Sequence, residues 1–189
     1  DIIDRRITEI RLKYVDDTYG EAIQAGDGIL DLIDSLKEHP EVGTPLYGPL
    51  INTVTRGARL KKFYLRSAGT GVGKTRSMIA DACYIACAKI YDENFGWIKC
   101  GTQEPVLFIT TEQELEEIQT MMLAFLSNVN EEHILNGEYV DDEEKRVNEA
   151  ADILAKAPLY VEELPDFSLQ DVENKIKKNI REHDVKYIF

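Results

Sequence analysis

A glycine-rich segment at residues 68–75 has the residue types and the spacing of a phosphate-binding loop. It reads Ala-Gly-Thr-Gly-Val-Gly-Lys-Thr and lies between a short apolar run, residues 63–65, and a helical pattern that begins near Lys74. Glycines adopt backbone conformations that other residues avoid, so successive N–H groups can point into one concavity and hold phosphate oxygens. The positive end of the following helix dipole falls on the same place. The segment therefore predicts a site for a nucleoside triphosphate.

The side chains of this loop have distinct predicted roles. Lys74 can reach the β- and γ-phosphates as a compact positive charge, and the hydroxyl of Thr75 can bind Mg²⁺. The alternative is a glycine-rich turn that only joins a strand to a helix, but a lysine at a helix N-terminus is unfavourable unless an anion meets it. Ala68 is a small-residue variant of the usual first glycine. The predicted nucleotide-binding residues are Ala68, Gly69, Thr70, Gly71, Val72, Gly73, Lys74, Thr75 and Arg76.

Length and composition predict one globular α/β domain with a substantial core. The chain has 189 residues, of which 43% are hydrophobic, and no apolar run approaches the ~20 residues of a membrane span. The net charge is −13, so no basic face for a nucleic-acid backbone is evident. We interpret the acidity as a solvated surface, and we expect any DNA contacts outside this chain or in a local groove.

Both termini and the cysteines contribute further expectations. The chain starts without an initiator Met or a signal-peptide pattern and ends on an apolar strand, so we expect a fragment or a partly ordered chain. Cys83, Cys87 and Cys100 have no zinc-binding spacing. Their apolar surroundings favour reduced core thiols in a cytoplasmic protein, with a metal or redox role as the alternative.

Hydrophobic periodicity predicts a helical arm followed by alternating strands and helices. In the arm, residues 1–42, an apolar stripe recurs at helical spacing and a second short helix follows near residues 29–36. Strands are predicted at 63–66, 105–110, 159–161 and 185–189, and helices at 74–91, 112–128, 130–137, 143–156 and after a capping box at 168–171. Such alternation indicates a mainly parallel sheet with helices on both faces. The arm stripe consists of Ile3, Ile7, Ile10 and Tyr14.

Glu112 is the candidate for activating water. Hydrolysis of a phosphoanhydride needs a carboxylate that orients or deprotonates the attacking water. Glu112 directly follows the apolar strand at 105–110, and ligands of open α/β sheets lie beyond the carboxyl ends of strands. However, residues 111–114, Thr-Glu-Gln-Glu, also have the pattern of a capping box, and acidic residues are favoured in any first helical turn. The residues alone leave both roles open.

Several segments, in order, resemble the ATPase domain of DnaB-type replicative helicases, which belong to the RecA-like P-loop NTPase superfamily. The resemblance covers residues 43–189 and implies a RecA-like domain that is incomplete at its carboxyl end, with residues 1–42 as a linker or docking arm. It implies that Glu112 is the general base, that Lys74 stabilises phosphate charge and that Thr75 holds Mg²⁺. The segments that carry it are 43–50, the phosphate loop, Phe108-Ile-Thr-Thr-Glu112, 121–127, 134–137, 158–161 and 166–169.

The departures from the family pattern are also informative. Ile51-Asn52 replaces the usual Leu-Asp pair, and Gln113 replaces the methionine after the glutamate. The family's second magnesium aspartate, its arginine finger and its DNA loops would lie after Phe189. Such divergence fits a phage or mobile-element branch. The resemblance further implies ATP and Mg²⁺, a homo-oligomeric ring with hexameric symmetry, single-stranded DNA bound by parts beyond this chain, and no membrane.

Two functions of different classes follow from these expectations. The first is an ATP-hydrolysing motor that translocates on DNA or unwinds it, with ATP bound between subunits of the ring. The second is a RecA-like ATPase switch that acts as a loader, regulator or recombination mediator without unwinding. Basic and aromatic loops facing a central channel would favour the motor. A kinase fits less well, because the sequence contains no motif for an acceptor substrate.

Overall fold

The structure is a computed structural model that describes residues 22–189, and it divides into two compact units. The first unit ends at Glu41 and the second is Val42–Phe189. In the described part of the first unit there is one helix, α1 (Ile29–Glu38), which confirms the short helix predicted there. None of its residues is buried, so its apolar side chains face solvent. The predicted stripe of Ile3, Ile7, Ile10 and Tyr14 lies outside the described residues.

The second unit alternates helices and strands around a small parallel sheet. In chain order its elements are α2 (Pro49–Thr55), α3 (Lys74–Ala86), β1 (Lys89–Asp92), β2 (Gly96–Lys99), β3 (Val106–Thr110), α4 (Leu115–Ser127), α5 (Glu131–Asn136), α6 (Glu143–Lys156), β4 (Leu159–Glu163), α7 (Leu169–His183) and β5 (Tyr187–Ile188). The sheet has the order β4-β3-β5, and both pairings are parallel. Three of the four predicted strands are therefore confirmed.

The core lies where α3 packs on the central strand and α4 packs on α3. Val106, Leu107 and Phe108 are consecutive and all buried, and consecutive strand residues point to opposite faces. Both faces of β3 must therefore be covered, as is usual for a parallel sheet. The helices contribute Ile79, Ala82 and Ile85 from α3 and Ile118, Met122 and Leu126 from α4.

The predicted strand at 63–66 is not formed, and that prediction is wrong. These residues have no regular secondary structure and pair with no strand among the described residues. Phe63 is 89% exposed and Leu65 is 83% exposed, whereas a central strand would bury both. A strand is defined by its hydrogen-bonded neighbour as well as by its apolar residues, and an apolar run alone does not supply one.

The helix predicted at 74–91 is shorter than expected, because an antiparallel hairpin of β1 and β2 replaces its end. The hairpin begins at Lys89, within the predicted helix, and ends at Lys99. The rings of Tyr91 and Trp97 face each other across the two strands, with centroids 5.5 Å apart. At the turn, the Asp92 carboxylate accepts hydrogen bonds from the backbone N–H groups of Asn94 and Phe95, at 2.8 and 3.1 Å. Aromatic cross-strand packing and this turn outweigh the helical pattern.

Asn52 organises the segment that precedes the first apolar run. Its side-chain amide donates to the carbonyl oxygens of Leu46 and Gly48, at 2.7 and 3.0 Å, and its Oδ1 accepts from Leu46 N at 2.8 Å. An aspartate, which the family pattern has here, accepts hydrogen bonds but does not donate them when ionised. The departure at position 52 therefore has a structural use in this chain.

The three cysteines are free thiols in the core. Cys83, Cys87 and Cys100 are all buried, and Cys100 Sγ donates to Cys87 O at 3.4 Å. Burial, together with the neighbouring Cys87, raises the pKa of Cys100 to about 12. A thiol that stays protonated is a poor nucleophile and a poor metal ligand. The structure therefore confirms the prediction that the three cysteines are free thiols of the core.

Among the described residues, no helix combines the length and the apolar character that crossing a bilayer would require.

Candidate nucleotide-binding site

Residues 68–73 form an open loop that leads into α3. Gly71 and Gly73 have φ values of 75° and 93°, in the left-handed region that favours glycine. An added Cβ at either position would meet no atom within 4 Å, so backbone conformation rather than crowding requires glycine there. Gly69 has no such φ. The expected special conformations are therefore confirmed for two of the three glycines.

The start of α3 is suited to an anion. Gly73 is its N-cap and offers no side chain, and no acidic residue stands in its first turn. The first N–H groups of a helix have no partner within the helix, and the helix dipole places partial positive charge on them. Among the described residues no side chain caps this end. The loop and the helix end together therefore favour a phosphate.

Lys74 and Thr75 stand at the first two positions of α3. Lys74 Nζ donates to the carbonyl oxygen of Ala68 at 3.0 Å, which folds the ammonium back over the loop. The half-buried Thr75 hydroxyl makes no hydrogen bond to any residue that the structure describes. An oxygen of this kind is a suitable Mg²⁺ ligand. The phosphate and Mg²⁺ roles of the two residues stay predictions.

The Arg76 side chain points to the start of α5. Its guanidinium forms an ion pair with Glu131 at the start of α5. The two residues lie at the edge of a cavity of about 480 Å³ whose other lining residues are Ile79, Met121, Ala124, Phe125, Val129 and Asn130. None of the residues 68–75 lines that cavity. The predicted contact of Arg76 with nucleotide stays a prediction.

A buried ion pair, which the sequence analysis missed, joins the two sides of the loop. Arg66, just before the loop, contacts Asp81 of α3 at 2.5 Å and donates to Ser77 Oγ at 2.7 Å. Asp81 is 2% exposed and also accepts from Tyr47 N at 3.0 Å. Burial raises the pKa of Asp81 against the opposing effect of Arg66. Since the partners lie far apart in sequence, no local pattern indicates the pair.

Replacing Asp81 with alanine should destabilise the second unit by about 2–3 kcal/mol. Loss of one partner of a fully buried pair typically costs ~3–5 kcal/mol, and Arg66, with 30% of its side chain exposed, recovers part of that through water. Chemical denaturation measures the effect. Glu173→Ala is the matched control, because it removes the exposed Lys177–Glu173 pair of α7 and should change stability little. Equal losses in both variants would contradict a structural role for the buried pair.

Glu112 lies in a short loop between β3 and α4. The helix begins at Leu115 with Glu114 as its N-cap, and Glu114 makes no side-chain capping bond. The capping box predicted at 111–114 is therefore absent, whereas the box at 168–171 is confirmed. Glu112 is exposed, and among the described residues no hydrogen bond or ion pair involves its carboxylate or joins it to the phosphate loop. Its side chain is free to meet water.

The open glycine loop, the uncapped helix end and the parallel α/β sheet place the chain in the RecA-like class of α/β folds. Residues 49–189 match the family described as "DnaB-like helicase C terminal domain". The chain belongs to this family.

One curated relative and two solved structures illustrate the relationship. The "SPbeta prophage-derived uncharacterized protein YorI" of Bacillus subtilis (strain 168) is 38% identical over 185 residues, which is 97% of this chain. The chain spans 37% of that relative's length. This relative agrees with the phage or mobile-element branch that the sequence indicated.

The structural neighbours share the fold at low sequence identity. The "ATPase Domain of G40P" superposes with a TM-score of 0.68 at 13% identity, over 89% of this chain and 56% of that one. A structure described as a DnaB-like replicative helicase and its interactions with primase gives a TM-score of 0.71, also at 13% identity. It covers 100% of this chain and 42% of the helicase chain. Both matches show the RecA-like fold.

Proposed function

We propose that the chain binds ATP and Mg²⁺ at residues 68–76 and hydrolyses the ATP as the motor domain of a DNA helicase ring. The observation that carries this proposal is the start of α3, where an open glycine loop, Lys74 and uncapped N–H groups converge in a DnaB-like domain. The ring would translocate on single-stranded DNA or unwind duplex DNA. The free buried thiols favour a reducing compartment, so we place the protein in the cytoplasm.

Each residue has a defined task in this proposal. The N–H groups of the loop, made accessible by Gly71 and Gly73, hold phosphate oxygens, and Lys74 leaves Ala68 O to contact the β- and γ-phosphates. The Thr75 hydroxyl would hold Mg²⁺, which neutralises charge on the phosphates when bound. Glu112 orients the attacking water and accepts its proton.

In the proposed ring, neighbouring subunits would share the ATP site and a docking surface. ATP would lie between subunits, with residues 68–76 and Glu112 on one side and an arginine from the neighbouring subunit on the other. The exposed apolar side chains of α1 would dock on another subunit, because such a stripe is suited to a partner surface. Single-stranded DNA would be bound by parts outside this chain, as the net charge of −13 favours.

The acidic charge also supports a second candidate function. A RecA-like ATPase that works as a nucleotide switch, for example as a loader, regulator or recombination mediator, needs no DNA-binding channel. It would bind and hydrolyse ATP at the same residues. The two candidates differ in whether single-stranded DNA stimulates hydrolysis and whether hydrolysis drives strand separation.

ATP hydrolysis by the full-length protein that contains this chain should depend steeply on protein concentration. An arginine supplied in trans contributes roughly 10³–10⁵ in rate, so the dilute, monomeric full-length protein should bind ATP but turn it over slowly. Turnover per subunit, measured over a dilution series with and without single-stranded DNA, tests the ring. A fast rate that stays constant on dilution would contradict the shared site. Stimulation by DNA together with duplex unwinding would favour the motor over the switch.

A further inference from the structure

We propose that Glu163 is a positioning residue that holds the Glu112 loop in place from the neighbouring strand. This inference rests on the proposed role of Glu112 as the general base. The loop, residues 111–114, is only four residues long and is fixed at both ends. One end is fixed from within β3, and the other end is fixed by Glu163.

The first end is fixed by Thr110, the last residue of β3. Thr110 is buried, and its hydroxyl accepts from Gln113 N at 3.1 Å and donates to Gln113 O at 3.0 Å. Its carbonyl oxygen accepts from Leu164 N at 2.8 Å. Glu112 therefore lies inside a tight turn that is closed by Gln113, whose backbone N–H and carbonyl oxygen are both hydrogen-bonded to Thr110.

The second end is fixed by a carboxylate from β4. Leu115 N, the first N–H of α4, donates to Glu163 Oε1. The loop itself contributes no side-chain cap to this helix. In the parallel register Glu163 is paired with Thr110, so the end of β4 lies beside the start of the loop and also supplies the cap at the end of the loop. A negative charge at a helix N-terminus is also favourable for the helix dipole.

The preceding residue, Glu162, does not share this task. Successive strand residues point to opposite faces, and Glu162 is bound by Lys175 at 2.6 Å and by Asn179 at 3.0 Å, both on α7. Glu163 is also not a second candidate for the base, because its carboxylate is engaged by the backbone N–H of Leu115. The Glu112 carboxylate is free of partners among the described residues, whereas the Glu163 carboxylate is engaged by Leu115 N. This difference separates the proposed general base, Glu112, from the residue that positions its loop, Glu163.

The test uses the full-length protein that contains this chain, with ATP turnover and ATP affinity measured side by side. Glu163→Ala removes the acceptor and should lower kcat about 10–100-fold, since a displacement near 1 Å can cost ~10²-fold. ATP affinity should change less than about twofold. Glu163→Gln keeps an acceptor oxygen and should restore most of the rate. Glu117→Ala, an exposed glutamate in the first turn of α4, is the control and should leave kcat unchanged.

A double-mutant cycle separates positioning from general damage. If Glu163 acts through Glu112, then Glu163→Ala should add little to the loss already caused by Glu112→Gln. Any one of four results would overturn the proposal. Two concern the rate: additive losses in the double variant, or a rate for Glu163→Ala equal to that of Glu117→Ala. The other two are no rescue by glutamine and a fall in ATP affinity that matches the fall in rate. The Glu112→Gln variant alone reports on the base: normal turnover there would remove the proposed base, whatever Glu163 does.

Discussion

Replacing Lys74 with alanine is expected to abolish tight ATP binding. The ammonium contacts the loop carbonyl of Ala68 and is placed to exchange that contact for phosphate oxygens. A hydrogen bond to a charged group is worth about 1.5–3 kcal/mol, and loss of two such contacts would weaken binding by roughly 10²–10⁴-fold. Calorimetry on the folded variant measures the affinity directly.

Lys145→Ala provides a matched control for this experiment. Lys145 is also an exposed lysine in the first turn of a helix, here α6, and its removal should leave ATP affinity unchanged. The circular dichroism spectra of both variants should match that of the parent chain. Unchanged affinity in the folded Lys74→Ala variant would mean that residues 68–75 are only a connecting turn.

Replacing Glu112 with glutamine should separate ATP binding from ATP hydrolysis. Glutamine keeps the size of the side chain and removes its basicity, so ATP should bind as before while hydrolysis falls by roughly 10²–10⁴-fold. Because Glu112 precedes the N-cap of α4 by two residues, the melting temperature should hardly change. Turnover, affinity and melting temperature are measured on the same full-length variant.

Glu116→Gln is the matched control, and we expect it to lower stability without lowering ATP turnover, the reverse of the result expected for Glu112→Gln. Glu116 stands in the first turn of α4, where its charge favours the helix dipole. Its loss should cost about 0.3–1 kcal/mol of stability and leave turnover intact. Near-normal turnover of Glu112→Gln with a lowered melting temperature would transfer the role of base to another carboxylate.

Local chemistry determined which parts of the site the sequence could predict. The open glycines, Lys74 and Thr75 follow one another along the chain, so their arrangement is already present in the motif. Glu112 was ambiguous because one four-residue pattern, 111–114, fits both a strand-end carboxylate and a capping box. Only the observed start of α4 at Leu115 separates the two.

Long-range partners explain what the sequence did not predict. The contacts Arg66–Asp81 and Glu163–Leu115 join residues that no local spacing connects. The segment at 63–66 is the converse case, since its apolar residues match a strand pattern but no described strand pairs with it. Strand pairing and ion pairs depend on the partner in space as much as on the residue itself.

The strand order β4-β3-β5 has a consequence for how the chain acquires its structure on the ribosome. Both neighbours of the central strand follow it in the chain, one after α6 and the other after α7. During synthesis β3 therefore leaves the exit tunnel long before either neighbour is available. Its apolar side chains and unpaired backbone edges must be sheltered meanwhile by α3, which packs on it, or by a chaperone. Nascent chains arrested before β4 should be the most vulnerable to aggregation.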